Sequence, residues 1–119
     1  MFSSVKSVIY PSRNLEEDKK FWTKATGVEP YFDQPYYVGF SINGCELGLD
    51  PNAGAEGLPY PIAYWNVQDG ERAMEQLLAS GATVFKEARD VGGGMMMGTF
   101  KDASGNIFGI IDMPSNPEQ

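Results

Sequence analysis

The chain contains no histidine, so the commonest general base, the usual activator of serine and cysteine nucleophiles and a favoured metal ligand are all missing from it. Hydrolase triads are excluded with it, and chemistry must be sought in carboxylates, phenols and amides set in apolar surroundings. Glu46 stands between Cys45 and Leu47 in an otherwise apolar run. It either faces a cavity as a base or polar anchor, or faces solvent. An inward Glu46 needs a partner, because an unpaired buried carboxylate is costly, and Tyr64, Asn66 or a ligand group could serve.

Ile62, Tyr64 and Asn66 alternate with Ala63, Trp65 and Val67. One set must cover a helix, and the Ala-Trp-Val set suits that core face, which leaves Tyr64 and Asn66 toward a pocket. Tyr64 has a second reading as an ordinary packed aromatic with a satisfied hydroxyl. The stretch Gly92-Gly93-Gly94-Met95-Met96-Met97-Gly98 joins flexible backbone to adaptable side chains, as in a mobile lip over a hydrophobic ligand or a bulged strand with Met96 in the core. It lacks the Lys-Ser/Thr ending of a phosphate loop and the dinucleotide fingerprint.

These residues must be positioned by regular elements. Val5 to Tyr10 reads as a strand closed by Pro11. Asn14 offers an N-cap before the acidic turn Glu16-Glu17-Asp18, and Leu15, Phe21, Trp22 and Ala25 form an apolar stripe ending at Gly27. The pattern then repeats: Pro61 to Val67 is a strand, Asp69 a cap, and Ala73, Met74, Leu77 and Leu78 a stripe ending at Gly81. Gly27 and Gly81 are 54 residues apart, so one half reads as a divergent copy of the other.

Tyr36 to Ser41 and Cys45 to Asp50 flank Asn43-Gly44, a strong hairpin signal. Thr83 to Lys86, Met95 to Phe100 and Ile107 to Asp112 are the strands after the second helix. The fold class is α+β: one domain over residues 1–119, with a first βαβββ module over about 1–51, a linker over about 52–60 and a second module over about 61–114. A loose tail follows from Pro114 to Gln119. The modules are expected to share a curved mixed sheet that cups a pocket, with helices on the convex face.

Composition narrows the partners. Nine Lys and Arg against 16 Asp and Glu give a net charge of −7, which repels nucleic acid and anionic membrane surfaces. No apolar run approaches the length of a membrane span, and the first residues lack the pattern of a signal peptide. Cys45 is the one cysteine, so no internal disulfide forms, and a cytoplasmic setting is expected.

Asn14-Leu15-Glu16, the Phe21-Trp22 helix ending at Gly27, Val67-Gln68-Asp69, Ala79-Ser80-Gly81-Ala82 and the closing Asp102-Ala103-Ser104-Gly105-Asn106-Ile107-Phe108-Gly109 together resemble the glyoxalase, bleomycin-resistance and extradiol-dioxygenase superfamily, the vicinal oxygen chelate proteins. The resemblance covers nearly the whole chain and implies the paired-module fold. That superfamily hosts lyases, dioxygenases, epimerases and binding proteins, so function does not follow from fold.

Metal-using members hold a divalent ion with His or Glu side chains from the first and last strand of each half. On that pattern the positions here are Ser7, Glu46, Ile62 and Gly109. One carboxylate beside serine, isoleucine and glycine is short of the donors such a site needs. A register shift in the closing strand would add Asp112 and still fall short.

The leading expectation is therefore binding of a small, largely apolar or aromatic molecule without a metal cofactor. Ile9, Phe40, Tyr64, Met96, Ile107 and Ile111 would contact it, Glu46 and Asn66 would orient it, and Ser7, Ile62 and Gly109 would complete the lining. The alternative is a glyoxalase-like lyase or isomerase, or a dioxygenase-like enzyme, with Glu46 catalytic and an atypical divalent metal. A ligand-free dimerising module is a further alternative. The resemblance also implies a homodimer, with the modules paired within one chain or exchanged through residues 51–61.

Overall fold

The computed structural model describes residues 2–112; the tail expected from Pro114 onward lies outside them. Both helices form where caps and apolar spacing call for them. The Asn14 side chain accepts the Glu17 N–H at 3.2 Å, and α1 runs Leu15–Thr26 with Glu16, Glu17 and Asp18 in its first turn. Acidic groups there complement the unpaired N–H groups and the helix dipole. Gly27 closes the helix at φ 75°, in the left-handed region that glycine enters without a Cβ clash. The second helix, α2, spans Gly70–Ala79, and Asp69 accepts the Arg72 N–H at 3.1 Å.

The strands are β1 (Phe2–Pro11), β2 (Phe32–Gln34), β3 (Tyr37–Ile42), β4 (Cys45–Asp50), β5 (Ile62–Val67), β6 (Thr83–Asp90), β7 (Met96–Lys101) and β8 (Ile107–Asp112). With α1 after β1 and α2 after β5, the chain is two βαβββ modules of the α+β class, as expected. The βαβββ pattern requires strand β2, but the sequence did not locate it, since three residues are too few to show an alternating pattern. The chain divides into two compact units, residues 6–63 and residues 2–5 with 64–112.

In the unit of residues 6–63 the strands lie in the order β2-β3-β4-β1, with β1 parallel to β4 and the other neighbours antiparallel. The β3–β4 hairpin turns on Asn43 at φ 48° and Gly44 at φ 86°, both left-handed as this two-residue loop requires. Val38, Phe40 and Leu49 are buried, and Leu15 and Trp22 of α1 pack against them. Phe40, expected in the pocket, is therefore part of the core beneath the helix. The alternation of β3 sends Val38, Phe40 and Ile42 to the same side, and α1 covers that side.

Phe21 also departs from expectation. It is 61% exposed and meets Trp22 edge-on at 5.1 Å. Leu15 and Trp22 are seven residues apart and share one face of the helix, whereas Phe21 is one residue, or about 100° of rotation, off it.

The other unit repeats the plan in the order β5-β8-β7-β6, with β5 parallel to β8. Its core joins Val67, Phe100 and Ile110 of the sheet to Ala73 and Leu77 of α2. Trp65 lies on the helix side as expected, stacked on Phe2 with ring centroids 5.1 Å apart. Gly92, Gly93 and Gly94 all have positive φ and form the turn joining β6 to β7, where the Met95 N–H donates to the Gly92 carbonyl at 3.0 Å. Among the described residues no helix is long and apolar enough to cross a membrane.

If Phe40 is core, Phe40→Ala should lower unfolding free energy by about 3–5 kcal/mol. Phe21→Ala should change it by no more than about 0.5 kcal/mol. Urea denaturation of both variants checks the contrast, and equal costs would contradict the assignment of faces.

Candidate functional site

Strand parity decides which side chains can meet. In the unit of residues 6–63, Val38, Phe40, Leu47 and Leu49 turn toward α1. Tyr37, Gly39, Glu46 and Gly48 therefore turn to the opposite face, since neighbours along a strand alternate. The register sets Ser7 beside Glu46 and Ile9 beside Gly48 across the parallel β1–β4 pair, and Gly39 beside Gly48 across β3–β4. Phe32 of β2 pairs with Gly39 and joins the same face.

Two glycines make room on it. A Cβ added to Gly48 would collide with the phenol of Tyr37, whose Cζ would be 2.6 Å away. One added to Gly39 would stand 2.9 Å from Glu46 Oε2 and 3.0 Å from Tyr31 Cε1. The two phenols therefore lie across β3 and β4 in space that any larger residue would occupy.

Glu46 gathers the hydroxyls. Its Oε1 accepts from Ser7 Oγ at 3.1 Å and from the Tyr37 hydroxyl at 2.9 Å. Its Oε2 accepts from the hydroxyl of Tyr31. Ser7 is buried, and Glu46 and Tyr37 are half-buried. Three neutral donors thus stand where water would otherwise solvate a carboxylate.

The phenols register this environment. Burial first, then the hydrogen bond to Glu46, pushes the Tyr31 hydroxyl up to about 12. Burial, followed by the nearby Glu46 charge, raises that of Tyr37 further still. Both therefore remain protonated donors through the neutral range.

The sequence singled out Ser7, Ile9 and Glu46, and the structure brings them onto this one face. Tyr64 and Asn66, the partners expected for Glu46, belong to the other unit. Tyr31, Phe32 and Tyr37 were missed. For Tyr37 the signal was parity, since Tyr37 and Gly39 alternate with Val38 and Phe40 as Glu46 and Gly48 alternate with Leu47 and Leu49; Tyr31 and Phe32 left no such signal.

In the other unit, Tyr64 is paired with Gly109 and Asn66 with Ile111. The Tyr64 ring lies over Gly109, where an added Cβ would stand 2.9 Å from Cγ. Ile107 shares this face by alternation. Met97 and Thr99 join it through their pairing with Ile111 and Gly109. Met96, expected in the pocket, pairs instead with Asp112 and turns toward the helix side. The Met run places Met97, not Met96, on the same face as Tyr64 and Asn66, with β8 between them, because one residue along a strand reverses the face. Ile62 is buried on β5.

Asp112 is committed elsewhere, its Oδ2 accepting the Gly70 N–H at 2.8 Å. Ser7, Ile62 and Gly109 add no carboxylate, thiolate or imidazole to Glu46. Among the described residues no three His, Cys, Asp or Glu side chains assemble as a metal-binding group. The donor chemistry does not fit a resident divalent ion.

Residues 4–110 match the family described as the glyoxalase/bleomycin resistance protein/dioxygenase superfamily, and the chain belongs to that family. No curated protein matches the sequence. Solved structures share the fold at low identity. A hypothetical protein from Bacillus halodurans has a TM-score of 0.76 at 11% identity, over 97% of this chain and 97% of its own. Methylmalonyl-CoA epimerase from Mycobacterium tuberculosis has a TM-score of 0.70 at 13% identity, over 96% of this chain and 90% of its own. A superfamily member from Vibrio splendidus has a TM-score of 0.69 at 14% identity, over 95% of this chain and all of its own.

The raised phenols have a signed consequence for stability. The neutral form is favoured in the folded protein, so the stability it confers is complete below the ordinary tyrosine value of 10.0 and is lost as pH rises through about 12. Melting temperature should therefore decline from pH 10 upward, less steeply in Tyr31→Phe. Absorbance titration should show a late-ionising phenol fraction that shrinks in Tyr31→Phe and in Gly48→Ala, where the new methyl expels Tyr37. An unchanged late fraction in both variants would contradict the arrangement.

Proposed function

We propose that this member of the glyoxalase/bleomycin resistance/dioxygenase superfamily binds a small, largely apolar or aromatic molecule on the sheet face that carries Glu46, without a resident metal. One observation carries the reading: a half-buried carboxylate held by Ser7, Tyr31 and Tyr37, whose two phenols lie across Gly39 and Gly48 next to the ring of Phe32. Apolar walls with few, well-fixed polar groups are the usual make-up of a small-molecule site. Aromatic rings supply contact area at low cost in side-chain entropy.

The roles follow from position. Glu46 and Ser7 orient the ligand, Ile9 supplies aliphatic surface beside Gly48, and Tyr31 and Tyr37 hold the carboxylate while offering their rings. Tyr64, Asn66, Ile107, Gly109 and Ile111, now with Met97 and Thr99, are proposed as contacts on the other unit's own face, and Ile62 as one on the unit of residues 6–63. Phe40 and Met96 leave the set because they face the helices.

An enzyme using Glu46 for proton transfer is the competing reading. It asks a substrate to displace at least one of three hydroxyl donors, and substrate turnover would be its mark. Binding asks only for an approach to the rings and to the uncommitted side of Oε2.

A ligand that binds only the native state must raise the melting temperature. Aromatic and amphiphilic compounds should do so for the wild type, and at least one such shift should disappear in Tyr31→Ala. Elemental analysis should find no stoichiometric metal in protein purified without chelator, and Ni, Zn, Mn and Fe(II) should leave melting unchanged. A flat response to every organic compound would end the binding reading, and a stoichiometric ion would end its metal-free part.

A further inference from the structure

The Glu46 carboxylate has an unusual charge environment. Among the described residues the ion pairs within 4 Å are those of Lys19, with Glu16 and Asp33 at 3.2 Å each, and Asp33 lies one residue from Phe32, on the helix side. Glu46 itself is met by three neutral hydroxyls and no lysine or arginine. A half-buried carboxylate with no cation is normally expensive, and aromatic packing around it removes still more solvent.

The surroundings add negative potential rather than cancelling it. The Asp50 charge is close enough to contribute to the raised Tyr37 hydroxyl, and the whole chain carries −7. Around the carboxylate lies a connected aromatic group. Phe32 approaches Tyr31 at 6.5 Å, Tyr36 at 6.0 Å and Tyr37 at 6.2 Å between ring centroids. Tyr31 is 62% and Tyr36 59% exposed, so ring surface is open to an incoming ligand. Electron-rich ring faces attract cations, tyrosine more so than phenylalanine, and a carboxylate at the base of such a group supplies the counter-charge.

We propose that the Glu46 face recognises an organic cation, an alkyl- or arylammonium group, whose charge sits against Glu46 and the rings of Tyr31, Phe32, Tyr36 and Tyr37. The inference rests on the binding role proposed above and names its ligand class. A bare metal ion does not meet these requirements, because phenyl and phenol rings offer it no donor set. An ammonium with apolar substituents uses both features at once, placing carbon on the rings and charge beside the carboxylate. A neutral aromatic would use the rings alone, and an anion would meet Glu46, Asp50 and the net charge as repulsion.

Calorimetric titration with phenyltrimethylammonium, tert-butylbenzene and benzoate separates the outcomes, since the three probes share a ring and differ in charge. Phenyltrimethylammonium should bind at least about tenfold more tightly than tert-butylbenzene, with benzoate weakest. The preference should shrink as ionic strength rises and should vanish in Glu46→Gln, which keeps the side chain's shape and removes its charge. Equal affinity for the charged and neutral probes in the wild-type protein would overturn the cation inference while leaving a binding face intact. Stronger binding of benzoate would also overturn it. Failure of all three probes to bind would overturn the cation inference too, while the binding reading falls only with a flat response across the wider compound screen. The wild-type comparison stands even if Glu46→Gln fails to fold.

Discussion

A single carboxylate, with no lysine or arginine paired to it among the described residues, organises one sheet face of the first module. Glu46 is on a strand otherwise committed to packing, and placing it half out of water requires replacement donors. Ser7, Tyr31 and Tyr37 supply them, each from a different part of the chain. The arrangement ties β1, β3 and the segment before β2 to β4 through side chains, in addition to the ladder of backbone hydrogen bonds. Neutral donors satisfy hydrogen-bonding capacity but leave the formal charge in place. The face consequently keeps an unmet electrostatic demand that lysine or arginine would have cancelled.

Glycine is what makes this arrangement sterically available. The phenols could not lie across β3 and β4 if Gly39 or Gly48 carried a side chain. The second module repeats the device in altered form, with the Tyr64 ring over Gly109. Tyr37 of β3 fills space cleared by Gly48 of β4, and Tyr64 of β5 fills space cleared by Gly109 of β8, so the two modules use the device on different strands. The divergence is chemical rather than architectural, since the cores beneath the helices remain equivalent: Val38, Phe40 and Leu49 in one unit, Val67, Phe100 and Ile110 in the other.

Family membership places this chain among proteins with several unrelated activities, and the fold cannot choose among them. The residues at the family's metal positions do bear on the choice. On the positions that the resemblance assigns to metal ligands, serine, glutamate, isoleucine and glycine offer one carboxylate, and the phenols of Tyr31 and Tyr37 stand beside it. Asp112, which a shifted register would have added, instead accepts the first N–H of α2.

The sequence by itself determined the two βαβββ modules, both helix caps, the Asn43-Gly44 hairpin and the separation of Trp65 from Tyr64 and Asn66, because caps, turns and alternation are local signals. It also isolated Glu46 and excluded histidine chemistry. Only the tertiary structure decided which side of each strand α1 and α2 cover, and so moved Phe40 and Met96 beneath the helices and brought Tyr31, Phe32 and Tyr37 around Glu46. A one-residue change of parity reverses a side chain's face, and the register between strands distant in sequence is set by packing of the whole sheet rather than by any run of neighbouring residues.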